Sequence, residues 1–373
     1  MDNNVNVEYY YRTIQELQDN TPPPFEDPCG YWSAIGPNKR EAFLNNITGA
    51  DPNEICQIIG IVDGVAAGYL TLFTGYALID GKKVKVQHGS DLFVTPEYRK
   101  YMIGAELLLL AKDLQNLPCI FAGFSSDARP LYPRIGFKLF SYPRFVFFYK
   151  SRLIAESVLG LSGSLKVVAS WIGDFILFFY KLVIYLYGTI LQLKYTIEDS
   201  SDIPIEFDEI NKKQRLRFQE LHDKQWLSYN LNYTFEKDKE NALKRKKLYL
   251  IKNKGKLCGY FVIRSSYQNK AEGKVTLRNV STAEIKEWDS FDYNKLSELD
   301  IHFLAIKILR KEKLDFFTFP VFQLNTISLF KFIFYKRTTF DVAVYFPGAK
   351  KKDPINIKEN WRVRGGYSDT LID

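Results

Sequence analysis

Asp91-Leu92-Phe93-Val94-Thr95-Pro96-Glu97-Tyr98-Arg99-Lys100-Tyr101-Met102-Ile103-Gly104-Ala105-Glu106-Leu107-Leu108 is the stretch on which the reading of this chain turns. A short apolar strand stops at Pro96, a basic turn follows, and a leucine-rich helix starts at the small residues Gly104-Ala105. Such a strand–turn–helix aims several backbone N–H groups and the positive end of a helix dipole at one point in space. That point suits a pyrophosphate. Arg99 and Lys100 add full charges where the backbone supplies partial ones.

Working outward, 55–62 and 66–73 are apolar runs joined by Asp63-Gly64, a hairpin signal, and 83–94 is the next strand. A helix over 104–116, a strand over 119–124, a helix over 127–135 and a strand over 137–149 follow. Upstream, a helix is expected over 9–20, stopped by Pro22-Pro23-Pro24, with another over 38–47. The sum is an α/β (α+β) mixed sheet with one βαβ crossover, which is right-handed in nearly all proteins.

The first stretch resembles motif A of the GNAT acyltransferases, Arg/Gln-x-x-Gly-x-Gly/Ala after a strand ending V-x-P-x-Y-R. Arg99 takes the first position, Met102 the first glycine and Gly104 the second. Met102 is a departure, since a side chain is costly where φ is positive, though its N–H is expected to remain available. Downstream, Ser125-Ser126-Asp127-Ala128-Arg129-Pro130-Leu131-Tyr132-Pro133-Arg134-Ile135-Gly136-Phe137 resembles motif B, N-x-x-A-x-x-L-Y-x-x-x-G-F, with Ser125 in place of Asn. The resemblance implies a GNAT fold and transfer of an acyl group, acetyl first of all, from a coenzyme A thioester to an amine. Phe93, Val94, Arg99, Lys100, Tyr101, Met102, Ile103, Gly104, Ala105, Ser125 and Ala128 would then line the coenzyme. The N–H of Phe93 or Val94 would polarise the thioester, and Tyr132 would protonate the departing thiolate. His88 and Asp91 are the candidate bases, acting through water; on a strand they have opposite parity, so one of them faces the cleft. His222 and His302 read as structural.

Residues 205–373 repeat the plan. A helical stretch over 211–228 precedes strands 247–252 and 256–264, paired across Lys254-Gly255, then strand 274–279. Helix 293–311, strand 314–320, helix 325–334 and a closing strand 342–346 complete it. Between Asn279 and Tyr293 no Arg-x-x-Gly-x-Gly occurs, and Val280 to Trp288 reads as a loop. The expected organisation is an N-terminal GNAT domain (1–152), an apolar helical linker (153–204) and a degenerate GNAT-like domain (205–373) with a binding or scaffolding role. Tandem arrangements of this type resemble bacterial surface-polysaccharide acyltransferases and, more distantly, Fem-like aminoacyl transferases.

A chain of 373 residues exceeds what one core usually holds. Four scattered cysteines, Cys29, Cys56, Cys119 and Cys258, suggest neither a metal site nor a disulfide framework. The polar N-terminus lacks the order of a signal peptide, so the expected location is the cytoplasm, with the inner membrane face open as a site of peripheral attachment. Net charge is +8, carried by residues beyond 152. An anionic partner fits that excess, but no stacking platform or recognition helix marks a nucleic-acid binder. Segment 167–193 is apolar except for a stripe containing Ser170, Asp174, Lys181, Gly188 and Gln192. It reads either as a helix buried between domains with a thin wet edge or as one lying in a membrane interface. Two function classes stand: an acyl-CoA-dependent N-acyltransferase acting on a small-molecule or glycan amine such as an amino sugar, or a non-catalytic GNAT-fold scaffold at the membrane surface.

Overall fold

A computed structural model of the protein describes residues 5–49, 51–125, 127–152, 154–208, 218–232, 242–271, 277–322, 327–349, 353 and 361–362. Along the chain, β1 (Val7–Thr13) and α1 (Ile14–Asp19) lead to α2 (Pro37–Leu44) and to strands β2 (Ile55–Val62), β3 (Val65–Ile79) and β4 (Lys82–Val94). Helix α3 (Ile103–Asp113), β5 (Cys119–Ala122), the short α4 (Leu131–Arg134) and β6 (Lys138–Phe148) follow. Next come α5 (Gly163–Lys194), β7 (Thr196–Ser200), β8 (Phe218–Glu220), α6 (Lys224–Asn232), β9 (Ala242–Asn253), β10 (Lys256–Ala271) and β11 (Leu277–Ser290). Helix α7 (Glu298–Leu309), β12 (Phe316–Pro320), α8 (Ile327–Ile333), β13 (Tyr335–Tyr345) and β14 (Trp361–Arg362) end the described chain.

Two compact units result, and neither is contiguous. The first comprises Met1–Ser141, Asn211–Phe235 and Asp341–Asp373; the second comprises Tyr142–Ile210 and Glu236–Phe340. Boundaries at 152 and 205 therefore do not match these units, because each unit takes its last strand from the far half of the chain. In the first unit β1 to β4 are antiparallel neighbours, β5 lies parallel to β4, and Val342–Tyr345 of β13 closes the sheet antiparallel to β5. In the second, β7, β9, β10 and β11 are antiparallel neighbours, β12 lies parallel to β11, and Arg144–Phe148 of β6 closes it. The same sequence of strand directions occurs in both.

Local chemistry explains most of these elements. The β2–β3 turn places Asp63 and Gly64 at φ 50° and 83°, the double left-handed geometry that two-residue hairpins need. Ile103, Leu107, Leu108 and Ala111 on one face of α3 pack on Ile58, Leu70, Val94 and Phe121 of the sheet. The helix expected from residue 9 starts only at Ile14, where the Thr13 hydroxyl accepts from the Glu16 N–H and the Glu16 carboxylate accepts from the Thr13 N–H. Before it, the tyrosine-rich segment is a strand paired with β2, as aromatic side chains favour. Phe218–Glu220, read as helical, is likewise a strand. The expected elements at 211–217, 274–276 and 325–326 lie outside the described residues.

Val280 to Trp288, read as a loop, belongs to β11. Its pattern is hidden by charges that are buried and neutralised rather than exposed. Glu284 receives Arg144 at 2.9 Å, Lys286 at 2.9 Å and Arg264 at 3.4 Å. Burial alone would raise the Glu284 carboxyl, but the three cations outweigh it and hold it at about 2.

Helix α5 inverts the expected facing. Its stripe turns toward the second unit: Asp174 accepts from the Ser151 N–H at 2.8 Å, and Lys181 donates to the Tyr149 carbonyl at 2.9 Å. Gly188 lies against Phe303 and Lys307, where a Cβ would stand 3.0 Å from the Lys307 Cβ. The large apolar side chains face outward, Trp171 at 79% exposure and Phe175 at 67%. Burial of the apolar face with a wet polar edge is thus overturned.

Candidate functional site

The site begins where two strands part. Strands β4 and β5 pair only at Gln87–Cys119, His88–Ile120 and Gly89–Phe121. Beyond Gly89, β4 continues against β3 alone as far as the Gly68–Val94 pair. Asp91 is the extra residue of a bulge at this point, with φ 48°, between the Thr71–Ser90 and Leu70–Leu92 pairs. A bulge re-aims the strand after it and resets its facing parity. That is why simple alternation between His88 and Asp91 does not apply.

Past the bulge, the backbone of β4 offers its outer edge to the gap. Thr95 N–H donates to the Ala67 carbonyl at 2.9 Å, so the antiparallel ladder turns Phe93 toward β3 and Val94 away from it. The Val94 carbonyl accepts from Arg99 Nε at 3.2 Å, which fits that facing. Of the two amides considered from sequence, Val94 rather than Phe93 is therefore the donor aimed at the gap. Phe93 contributes its ring, 45% exposed, beside Tyr31 and Tyr69.

A 3-10 helix, Pro96–Tyr101, then carries Arg99 and Lys100 on the surface, with the Lys100 ammonium 4.9 Å from the Tyr101 ring centroid. Met102 turns the chain into α3 at φ 59° and ψ 18°, the left-handed conformation the motif reserves for glycine. Its N–H donates to the Arg99 carbonyl at 3.1 Å, and its own carbonyl accepts from Ala105 and Glu106. The amides of Met102 and Ala105 are therefore engaged, contrary to the sequence expectation. No side chain caps α3. The N–H groups of Ile103 and Gly104 are left pointing out of its first turn, as helix geometry requires. The Ile103 side chain anchors that turn on Gly60, where a Cβ would stand 2.6 Å from its Cγ2. A Cβ on Gly104 would meet only Val94 Cγ2, at 3.5 Å.

The titratable candidates separate sharply. The Asp91 carboxylate, a quarter exposed, forms an ion pair with Lys39 Nζ and lies 3.4 Å from the Thr71 and Ser90 hydroxyls. His88 is fully buried, and burial, aided by His222, lowers it to about 3, so it is shut off from the cleft and holds a proton too weakly to act as its base. Tyr132 is 1% exposed, with ring centroids 4.3 Å from Phe124 and 5.6 Å from both Phe121 and Phe137. Its ring packs as a core aromatic here. Ser125 ends β5's loop locally: its hydroxyl accepts from the Ala128 N–H at 3.3 Å and its carbonyl from the Arg129 N–H at 3.1 Å. That turn positions α4.

Three residues beside this end of β4 carry no signal in the sequence. Lys39 reaches Asp91 across 52 positions. The Tyr31 hydroxyl meets the Thr95 hydroxyl at 2.5 Å, and Thr95 also bonds the Ala67 carbonyl at 3.0 Å, fixing the strand end before the basic turn. Burial raises the Tyr31 phenol above its ordinary value.

The corresponding helix start in the second unit is closed. The Ser297 hydroxyl accepts from the Asp300 N–H at 3.1 Å, and the Asp300 carboxylate accepts from the Ser297 N–H at 3.0 Å. Glu298, also in that first turn, accepts from the Phe322 N–H at 3.0 Å. Filled donors and two carboxylates repel an anion there.

No protein-family model matches the chain, and no curated sequence relative does. Among solved structures, Saccharomyces cerevisiae N-myristoyltransferase with bound myristoyl-CoA is similar at TM-score 0.53 and 10% identity, over 95% of this chain and 87% of that one. A GCN5-related N-acetyltransferase from Anabaena variabilis ATCC 29413 is similar at TM-score 0.48 and 13% identity, over 92% and 73%. At such identities the likeness is one of fold, and the chain shares an α/β fold built on a mixed sheet with the N-myristoyltransferase.

Proposed function

We propose that the chain is an acyl-CoA-dependent N-acyltransferase whose coenzyme lies in the gap between β4 and β5. One observation carries this reading: strands that part after Gly89 open beside an uncapped helix start flanked by Arg99 and Lys100. The Ile103 and Gly104 amides and the two cations would hold the pyrophosphate, a charge-assisted arrangement. The Val94 N–H would bind the oxyanion that develops as the amine attacks the thioester. Asp91, a quarter exposed and ion-paired with Lys39, would take the amine's proton directly or through water. The fold shared with an N-myristoyltransferase solved with its acyl-CoA supports the thioester as donor.

The finer reading is acetyl transfer to an amino sugar or a similar glycan amine, with the second unit a degenerate copy that has lost the cradle. The capped start of α7 favours that loss. A non-catalytic binding role draws support from the burial of Tyr132, the residue the motif would make the acid.

The test is thermal denaturation with coenzyme A or acetyl-CoA, on wild type and Arg99→Glu. The wild type should gain about 3 kcal/mol at a hundredfold excess over Kd, and Arg99→Glu should gain far less. Absence of any shift at millimolar ligand refutes the coenzyme site. A shift with no thiol release over an amine panel, unchanged by Asp91→Asn, leaves binding and removes catalysis.

A further inference from the structure

A second feature lies in the other unit. Among the described residues, twenty-two large hydrophobic side chains are exposed, and fifteen of them sit on α5 between Leu165 and Leu193. Water-soluble helices keep apolar residues inward and charges outward; α5 does the reverse. An exposed apolar patch of this kind marks a surface that something covers.

What covers it can be argued from the cavity alongside. A space of about 420 Å³ opens between α5 and the segment from Lys307 to Leu314. Five cations line it: Lys150, Lys181, Lys307, Arg310 and Lys313, with Tyr185 at its wall. No carboxylate lines it among the described residues. Lys150 has the buried Asp315 at 3.4 Å, and Lys181 feels the Asp174 carboxylate on the same stripe of α5. Three of the five bond neutral groups: Lys181 the Tyr149 carbonyl, Lys307 the Thr189 hydroxyl at 2.8 Å, and Arg310 the face of the Tyr185 ring at 4.7 Å. Such packing of like charges calls for an anion. The same cavity is lined on its α5 side by Phe178, Leu182 and Leu186, which continue the outward apolar stripe. One wall is cationic and the other greasy, the two ends of an anionic lipid.

Orientation follows from how α5 is held. The unit grips it near its start through Ser151 on the Ser170 carbonyl at 2.6 Å and on Asp174. At its middle, Tyr180 donates to the Ile333 carbonyl at 2.7 Å; near its end, Tyr187 donates to Asp300 at 2.9 Å. A transmembrane crossing would strip all of these contacts. The helix, about 48 Å long at ~1.5 Å per residue, can instead lie flat with its outer face in the headgroup–acyl boundary.

We propose that this face docks on an anionic bilayer, with α5 lying in the interface and a lipid phosphate seated among Lys181, Lys307, Arg310 and Lys313. The attachment is independent of the coenzyme site.

The experiment is co-sedimentation of the full chain with vesicles of phosphatidylcholine, alone or with 30% phosphatidylglycerol. Wild type should bind the anionic vesicles and lose them as salt rises. Lys307→Gln with Arg310→Gln should weaken that binding roughly 25-fold, about fivefold for each juxtamembrane cation. Trp171→Ser with Phe175→Ser should weaken binding to both kinds of vesicle, with the thermal midpoint and coenzyme response of both variants kept to report folding. Equal binding to neutral and anionic vesicles, untouched by the Gln pair, overturns the phosphate seat. Failure of the wild type to bind vesicles, with a sedimentation mass of two chains that the Ser pair returns to one, overturns the proposal in favour of a second copy covering the face.

Discussion

Gly89 is the last residue at which β4 and β5 are joined, and replacing it tests whether that closure sets the gap. A Cβ built there would stand 1.7 Å from Phe121 Cε1 and 2.1 Å from Cδ1. Phe121 cannot swing clear, because it is 3% exposed and backed by Tyr132 and Phe137 at centroid distances of 5.6 and 5.4 Å. Overpacking of this kind costs about 1–3 kcal/mol, and the rigid backing puts Gly89→Ala at the upper end, about 3 kcal/mol. Phe121→Leu removes ring volume from a filled core and should cost about 1–2 kcal/mol. In the double variant the smaller side chain makes room for the Cβ, so the costs should not add. A favourable coupling of about 2 kcal/mol is expected, well above the few tenths seen between independent sites. Urea denaturation of the four proteins measures it, and acetyl-CoA thermal shifts on the same set report the gap. Gly89→Ala alone should bind the thioester more weakly than the double variant. Additive costs, or a Gly89→Ala loss below ~1 kcal/mol, would refute this account of why the strands part where they do.

Two further outcomes concern charge. His88 and His302 are both lowered to about 3 by burial, while their unfolded values are 6.5. Below pH 6.5 the unfolded chain binds protons the folded chain refuses, so stability is full above 6.5 and falls as pH drops toward 3. Each histidine contributes a slope of about 1.4 kcal/mol per pH unit in that window. His302→Leu should remove one such slope, and an unchanged pH profile of the urea midpoint would contradict the burial. Glu284→Gln should cost about 3–5 kcal/mol at neutral pH, since it leaves Arg144, Arg264 and Lys286 facing one another. Its stabilisation in the wild type is present above 4.5 and fades as pH falls through about 2. A loss under 1 kcal/mol by denaturant titration would mean the cluster is solvated.

Much of the first unit was legible because its signals are local. Asp63-Gly64 fixes a hairpin whatever surrounds it, and the apolar face of α3 is periodic. The strand–turn–helix reading also held as geometry: Met102 does adopt positive φ. What was hidden is long-range. No pattern in Val342–Tyr345 says that it will pair with Cys119–Ala122 rather than within its own half. The Asp91 bulge is one inserted residue, invisible to alternation, and it resets the facing of β4 beyond it. The burial of His88 and Tyr132 was hidden for a related reason: motif position says where a residue lies along an element, not whether neighbouring rings will close over it. The polar stripe of α5 was legible as a stripe, but its facing depended on Ser151 and Tyr149 offering partners to Asp174 and Lys181.

The strongest support for a ligand at α3 comes from what the chain leaves undone there. Helices α1 and α7 both begin with reciprocal capping boxes, Thr13 with Glu16 and Ser297 with Asp300, each type of cap stabilising by about 1 kcal/mol. Helices α2, α4 and α5 start without a side-chain cap as α3 does, so what sets α3 apart is the residue at its start. There the sequence places Met102, which donates no cap and adds about 1–2 kcal/mol of left-handed strain that a glycine would relieve. A start left unfilled in this way retains its dipole and two outward amides, and Arg99 and Lys100 raise the local positive potential further. The turn itself is anchored by Ile103 on Gly60 and by the Met102 N–H on the Arg99 carbonyl. An anion satisfies every other part of the arrangement: the bare donors, the dipole, the two cations and the gap beside Val94.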